Sequence, residues 1–411
     1  MKRFYLLALA ATLAFTGCKK DDGDPRPENL TIEKTEYAFD AVENRTATVA
    51  FTAAADWTLS VVYDDAESSA DWLSVTPMSG TAGEQTVELS AARNFRASDR
   101  TAYADLVCGE QSVRLTVTQT AASEVVDFTA QFDPDFAKKL QELGHISDAE
   151  NITSADMEKI AAITSLDVAG SYDNPGTLTS LRGIEYFESL TFLKCDYNSL
   201  ELLDVSENTA LTFLKCDSNQ LTTLDVSANT ALTYLYCHSN QLTTLDVSAN
   251  TALTTLSCSS NSLTKLDVRQ NTELMNLSCS SNSLTSLDVS RNTALTGLWC
   301  ESNQLTELNV SANTALTQLH CGSNQLTELD VRQNTALTGL WCYDNQLTEL
   351  DISRNTALTW LSCENNPGDG VSTFPVKAWF DNDTVPAGLN VHSSSWTYGG
   401  KAITIDFRKA E

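Results

Sequence analysis

The sequence predicts a mainly β chain: an N-terminal β-sandwich, a short helical cap, then a β-solenoid. Three observations carry this. From Leu190 to Asn366 one 21-residue pattern repeats, with cysteines at 195, 216, 237, 258, 279, 300, 321, 342 and 363 and an asparagine three residues after each. A fixed period of this size marks a repeat architecture. Residues 29–121 show short alternating apolar and polar runs between turn signals, the pattern of a sandwich. Between the two, Asp133-Pro134 opens a helical spacing of apolar residues (Phe136, Leu140, Leu143) that Gly144 closes.

At 411 residues the chain exceeds a single compact domain, and its 42% hydrophobic content suffices for real cores. The expected layout is a leader over 1–17, a flexible tether over 18–28, the sandwich over 29–121, a helical N-terminal cap with a degenerate first coil over 122–189, the array over 190–366 and a C-terminal cap over 367–411. The formal charge is −28, and loss of Lys2 and Arg3 with the leader takes it to −30. Such acidity argues against nucleic acid and anionic membrane as partners. Nine of the eleven cysteines fall at the repeat period, which is neither a disulfide framework nor a zinc spacing.

Met1-Lys2-Arg3, the apolar run Phe4 to Phe15, and Thr16-Gly17-Cys18 describe a secretory signal whose apolar part is too short to span a membrane. The cysteine directly after Gly17 resembles a bacterial lipoprotein leader, although Phe15 stands where that family more often has Leu. The resemblance implies that Cys18 is lipidated, palmitate included, and becomes the first mature residue. Lys19-Lys20-Asp21-Asp22 and the polar residues after it read as a solvated tether. They also resemble the surface-export signal of Bacteroidetes-type lipoproteins, which implies a protein facing outward from the outer membrane and touching it only through lipid.

In the first folded region strands are expected over Thr46–Phe51, Trp57–Val62, Trp72–Val75, Thr86–Leu89, Ala102–Val107 and Val113–Thr118. The landmarks Asp56-Trp57, Asp71-Trp72-Leu73-Ser74-Val75-Thr76-Pro77, Ser79-Gly80, Asn94, Arg100 and Val117-Thr118-Gln119 resemble the BACON domain, an immunoglobulin-like (Ig-like) module. That resemblance implies a spacer or accessory role, with carbohydrate binding proposed for the family. Trp57 and Trp72 sit where tryptophan fills a sandwich core. Cys108 reads as a lone thiol near a turn.

In the cap, Thr153 and Asp156 form a possible capping box for a second helix, Ser154 to Ile163. Leu166-Asp167-Val168 already spells the repeat. The acids Asp133, Asp135, Asp148 and Glu150 lack the spacing of an EF-hand and read as helix caps.

The repeat spelling, Leu-Thr-x-Leu-x-Cys-x-x-Asn and then Leu-Thr-x-Leu-Asp-Val-Ser-x-Asn-Thr-Ala, resembles that of leucine-rich repeats, with Cys in a slot they fill with Leu. In both halves alternate residues are expected on opposite faces: Leu193, Cys195, Leu203 and Val205 inward, and Phe192, Lys194, Asp196 and Asp204 outward. Cysteine then fills a core slot as a small hydrophobe, since side chains pointing the same way are badly placed for a disulfide. The ladder Asn198, Asn219, Asn240, Asn261, Asn282, Asn303, Asn324 and Asn345, like the column starting at Asn208, is expected to satisfy backbone groups at the corners. The Asp column, Asp204 to Asp351 with Asn309 interrupting, brings like charges close, with Arg269, Arg291, Arg332 and Arg354 nearby to relieve them.

The outward strand positions are the ones that vary. The main candidate for ligand binding is Trp299, His320, Trp341, Tyr343 and Trp360 with the acceptors Glu301 and Glu364; Gly297, Gly322 and Gly339 are expected to clear space beside the rings. Phe192, Phe213, Tyr234 and Tyr236 form a secondary candidate face. Exposed aromatics on a rigid sheet suit a partner. The plain alternative is that they merely cover the sheet, or that the tail folds over them. Phe374, Val376, Trp379 and Phe380 offer that tail apolar cover, and Gly399-Gly400 marks a hairpin.

No catalytic, metal or cofactor motif appears: the four histidines, His145, His238, His320 and His392, show no partner at motif spacing. The expected function is a monomeric, lipid-anchored cell-surface binding or adhesion protein that takes a protein or glycan ligand. The alternatives are a glycan-binding accessory of polysaccharide utilisation and a structural spacer without a ligand.

Overall fold

The computed structural model describes residues 29–41, 44–63, 72–96, 98–121 and 127–410. The leader, Cys18, the tether and Asp71 lie outside the described residues. The chain divides into two compact units, residues up to 94 with 98–121, and residues 95–97 with 122–411.

Among its described residues the first unit has nine strands: Leu30–Ile32 (β1), Glu36–Phe39 (β2), Thr46–Ala53 (β3), Trp57–Tyr63 (β4), Leu73–Thr76 (β5), Ser79–Gly80 (β6), Gly83–Ala91 (β7), Arg100–Cys108 (β8) and Gln111–Gln119 (β9). They form two sheets, β1-β3-β7-β5 and β2-β9-β8-β4-β6. Strict alternation builds the core: Val49, Phe51 and Ala53 of β3 and Ala102, Ala104, Leu106 and Cys108 of β8 are all buried. Trp57 and Trp72 are buried as well, 2% and 3% exposed, which removes both from any binding surface. The Trp57 ring lies over Gly80, where a Cβ would come within 2.7 Å of it. The polar landmarks form a buried knot. Arg100 donates to Gln119 Oε1 (2.8 Å) and stacks over Trp72 at 4.4 Å, while Gln119 Nε2 donates to the Asp40 and Ala92 carbonyls. Cys108 is buried at the end of β8 and donates to the Ala55 carbonyl, at 3.4 Å.

The second unit opens with helices Pro134–Glu142 (α1) and Ser154–Ala161 (α2). Asp133 caps α1 by accepting from the amides of Asp135 and Phe136, and α2 carries the full capping box of Thr153 and Asp156. Strand Ser165–Asp167 (β10) then starts the sheet of the array. It is followed by Phe192–Lys194 (β11), Phe213–Lys215 (β12), Tyr234–Tyr236 (β13), Thr255–Ser257 (β14), Asn276–Ser278 (β15), Gly297–Trp299 (β16), Gln318–His320 (β17), Gly339–Trp341 (β18), Leu350–Asp351 (β19) and Trp360–Ser362 (β20). All except β19 pair parallel in sequence order and in register, so Leu193, Leu214 and Leu235 lie side by side, as do their counterparts to Leu361. These leucines and the cysteines beside them are fully buried.

Only the first half of each coil makes a strand. The second half keeps the expected burial, Val205 inward and Asp204 outward. It forms no ladder before β19, although extended alternation was expected there as well. The Asp side chain turns the chain instead: Asp204 Oδ1 accepts from the Ser206 amide at 3.0 Å, and its counterparts do the same. Arg269 and Arg332 pair with the Asp two residues before them, at 2.6 and 2.7 Å.

The corners are built from asparagine. Asn261 Nδ2 donates to the carbonyls of Cys237, Cys258 and Ser259 at 3.0–3.2 Å, and its Oδ1 accepts from the Leu242 amide. One amide thus ties two coils and satisfies four backbone groups. Asn271 in the other column donates to Val247 and Asn250 carbonyls. The residue before each first-column asparagine, Ser218 to Ser323 in six successive coils, has φ of 52–56°.

The tail contributes Thr373–Ala378 (β21), Asn390–Val391 (β22), Ser395–Tyr398 (β23) and Lys401–Lys409 (β24). β23 and β24 form the hairpin, with Gly399 and Gly400 at φ 55° and 78° supplying a turn that needs positive φ. Phe374, Val376 and Phe380 are buried against the end of the array, and Trp396 Nε1 donates to the Asn366 carbonyl at 2.8 Å. β22 pairs with β20 and so adds one more strand to the long sheet. Among the described residues no helix is long and apolar enough to cross a membrane.

Candidate ligand-binding face

Each strand of the array presents its first and third residues outward, and the residue after the cysteine continues that side. In-register pairing turns these positions into rows that run across the coils. One row holds Trp299, His320 and Trp341, and another holds Trp360. Their rings stack: Trp299 to His320 at 5.7 Å, His320 to Trp341 at 3.8 Å and 12° from parallel, and Trp341 to Trp360 at 6.2 Å. His392, just past β22, continues the series at 6.3 Å from Trp360. All four candidate rings are half-buried. The tail therefore extends the stack sideways at this point, and each ring keeps an exposed part.

The glycines do not leave open space beside the rings. A Cβ at Gly297 or Gly339 would run into the ring of Trp299 or Trp341, and one at Gly322 would stand 2.7 Å from Tyr343. The rings lie down over the glycines and pave the sheet. This corrects the expectation of cleared pockets: the glycine positions are already filled by aromatic carbon.

Two carboxylates border the paving. Glu301 is half-buried, and burial pushes its carboxyl up. The Glu301 backbone amide and then the Ser280 hydroxyl oppose that shift, and Glu301 Oε2 is buried without a hydrogen bond. Glu364 accepts from Ser362 Oγ at 2.8 and 2.9 Å and lies 3.7 Å from His392 Nε2. Burial holds the His320 imidazole uncharged, with its pKa down to about 4. Burial together with nearby Glu301 also pushes the Tyr343 phenol up. Trp360 Nε1 is buried without an acceptor. This end of the face thus combines flat apolar area with a donor and an acceptor that the chain itself leaves unmatched.

The secondary face is also stacked. Phe192 and Phe213 lie 4.4 Å apart and nearly parallel, with Tyr234 and Tyr236 at 5.9 and 5.7 Å from Phe213. Beside these rings runs a polar chain that sequence reading missed. Lys215 Nζ bridges Asp196 and Asp217, His238 Nε2 lies 3.3 Å from Asp217, and Ser257 Oγ lies 3.3 Å from His238 Nδ1. Asp196 and Asp217 are only 5% and 1% exposed, although their positions predict outward carboxylates. The signal was present: Lys215, Asp217, His238 and Ser257 occupy neighbouring outward positions in successive coils. The Asp217–His238–Ser257 order resembles an acyl-transfer series. However, Ser257 lies within a strand paired on both sides, so no oxyanion hole stands beside it.

The cysteines carry no chemistry here. All nine in the array are buried free thiols, and burial raises each of them, Cys258 to about 12, so the reactive thiolate is suppressed. Among the described residues no group of three or more His, Cys, Asp or Glu could hold a metal ion. The opposite half of the coils carries an acidic groove along Glu307, Glu328 and Glu349 with Asp288, Asp330 and Asp351, a stripe that the repeated Thr-Glu-Leu spelling could have revealed.

Residues 29–122 match a family model described as the viral BACON domain. The structure is similar to the functional domain of InlJ from Listeria monocytogenes, described as including a cysteine ladder. The two are 37% identical with a TM-score of 0.58, over 69% of this chain and 63% of that one. This chain thus spans less than two thirds of the InlJ domain's length. Further similarity is to the leucine-rich repeat domain of APL1 (19% identity, TM-score 0.42, 61% of this chain and 80% of that one). YopM from Yersinia enterocolitica is also similar (22%, 0.41, 54% and 47%). No curated protein matches the chain. Fold and comparisons agree on a mainly β protein: a BACON-type module, then a parallel-sheet array similar to the leucine-rich repeat solenoids.

Proposed function

We propose that this chain is a binding protein whose repeat array recognises a protein ligand through the outward rows of its strand face. The carrying observation is the Trp299–His320–Trp341–Trp360 stack, four half-buried rings fixed on a rigid sheet. Ordered rings spend little conformational entropy on binding, which is why Trp and Tyr dominate interface hot spots. Glu301, Glu364 and Tyr343 form the polar border, and the Phe192, Phe213, Tyr234 and Tyr236 face serves the stability of the array rather than the ligand. A glycan ligand is the second reading, supported by the flat paving with carboxylates at its edge. The BACON-type module acts as a spacer or accessory.

Export and lipid attachment at Cys18, which would place the array on the outer face of the outer membrane, complete the proposal and rest on the leader sequence alone. Two experiments test it. Probing protein and glycan arrays with the full chain and with Trp341→Ala should show ligands that the variant loses; an identical profile would sink the aromatic site. Metabolic labelling with a palmitate analogue should mark the parent protein and leave Cys18→Ser unlabelled.

A further inference from the structure

The C-terminal end of the strand face has carboxylates and π-surface but no cation. Its outward positions, from Gly297 on β16 to Glu364 after β20, include no Lys or Arg. The arginines of the same coils, Arg332 and Arg354, lie in the second halves, as does Arg291 of the coil before, and Arg332 is already paired with Asp330. His320 is stacked between two indoles. Glu301 stands two residues beyond Trp299 on the same side of the chain, and across the row the Tyr343 ring lies over Gly322, between Glu301 and Glu364. Glu301 keeps one buried oxygen without a hydrogen bond. The N-terminal end shows the chain's own solution to such a site: there Lys215 enters between two carboxylates.

We propose that the ligand is a peptide segment presenting an arginine, whose guanidinium lies on the Tyr343 ring over Gly322 and pairs with the neighbouring Glu301. This rests on the aromatic-face reading above and names the partner's chemistry. A guanidinium meets both features at once, because it stacks flat on aromatic faces and offers donors in a fork that matches a carboxylate. The burial that pushes the Glu301 carboxyl up is relieved when a cation arrives, so pairing also favours its ionised form. The overall charge of −28 attracts such a segment from a distance.

The test selects ligands from a phage-displayed random 12-residue peptide library on the full chain, with counter-selection on the Trp341→Ala chain. Retained peptides are then synthesised with each arginine changed to glutamine. The expected result is enrichment in arginine, at least tenfold weaker binding after the arginine change, and a similar loss in Glu301→Gln. Glu328→Gln, which removes one charge from the acidic groove on the other half of the coils, should stay within twofold. Equal losses in Glu301→Gln and Glu328→Gln would overturn the proposal by showing general charge attraction. Trp341-dependent ligands without arginine, or a glycan alone bound in a Trp341-dependent way, would overturn it and leave the aromatic site standing. If no peptide, protein or glycan shows Trp341-dependent binding, both readings fall.

Discussion

At the N-terminal end of the strand face, Lys215 stands between Asp196 and Asp217, and His238 and Ser257 extend the chain of contacts. At the C-terminal end, Glu301 has no cation on its own side of the sheet, and Trp360 Nε1 has no acceptor. Both ends carry stacked aromatic rings on the same scaffold, so the rings alone do not separate them. The difference lies in whether the carboxylates are matched by a cation within the chain: Asp196 and Asp217 share Lys215, each keeping one buried oxygen without a hydrogen bond, whereas Glu301 has no such cation. A matched set stabilises the array and gives a partner little to gain, because an incoming group would have to displace an existing pair. An unmatched set costs stability in the free protein and returns it on binding. The secondary face thus reads as a structural device, and the last four coils read as the working surface.

The comparison breaks first, and most visibly, at Lys215. Lys215→Met leaves two buried carboxylates without their cation, and the array should lose about 3–5 kcal/mol in urea denaturation. Adding Asp196→Asn and Asp217→Asn to the same chain should restore most of it. A loss below about 1 kcal/mol would mean that solvent already screens the pair.

Truncating a ring at each end sharpens the contrast. Trp341→Ala should weaken ligand binding by about 2 kcal/mol or more, as a hot-spot residue does. Phe213→Ala should lower thermal stability and leave the same ligand's affinity unchanged. Equal binding losses in calorimetric titration would put both ends in one site.

A pH titration separates the ends next. Burial disfavours the His320 imidazolium and brings its pKa from about 6.5 down to about 4. The stability linked to it is fully present above pH about 6.5 and is lost as pH falls toward 4, about 3 kcal/mol in full and on the order of 2 kcal/mol once solvent screening of the half-exposed ring is allowed for. Tryptophan fluorescence should report loosening of the Trp341 stack in that window, and His320→Gln should abolish the step. A step that survives the substitution would assign it to another group.

The smallest effect concerns the corners that both ends share. Ser281 holds φ of 52°, a conformation that disfavours L residues. Ser281→Gly should change stability by less than about 1 kcal/mol, with relieved strain opposed by the greater freedom of glycine in the unfolded chain. A loss above 2 kcal/mol would show that the serine side chain holds the corner.

What the sequence revealed was periodic or local. The register of the array follows from one cysteine and one asparagine per coil, and the helix caps at Asp133 and Thr153 are contained within a few residues. Trp57 and Trp72 could be assigned to a core by alternation alone. The short strands β1, β2 and β6 escaped because two to four residues carry no periodic signal. The second half-coils look like strands, since Leu-Asp-Val alternates correctly, but the Asp side chain competes for the backbone amide and bends the chain. Asp196 and Asp217 could be placed on the outward side and not recognised as buried, because that depends on where a lysine 19 residues from Asp196 folds back. The paved glycines are a matter of rotamers: periodicity places Trp299 two residues after Gly297 and says nothing about which way the ring lies.

The asparagine corners have a further consequence. Every coil from Leu253 to Glu273 and onward meets its neighbours through the same columns, so one coil can be removed or added without creating a new kind of junction. Insertion or deletion of a whole 21-residue unit keeps the register of every column. Each such step changes the separation of Tyr236 and Trp299 by about 4.8 Å and leaves the chemistry of either end untouched. Copy number thus sets the spacing between the two ends independently of the residues that do the recognising.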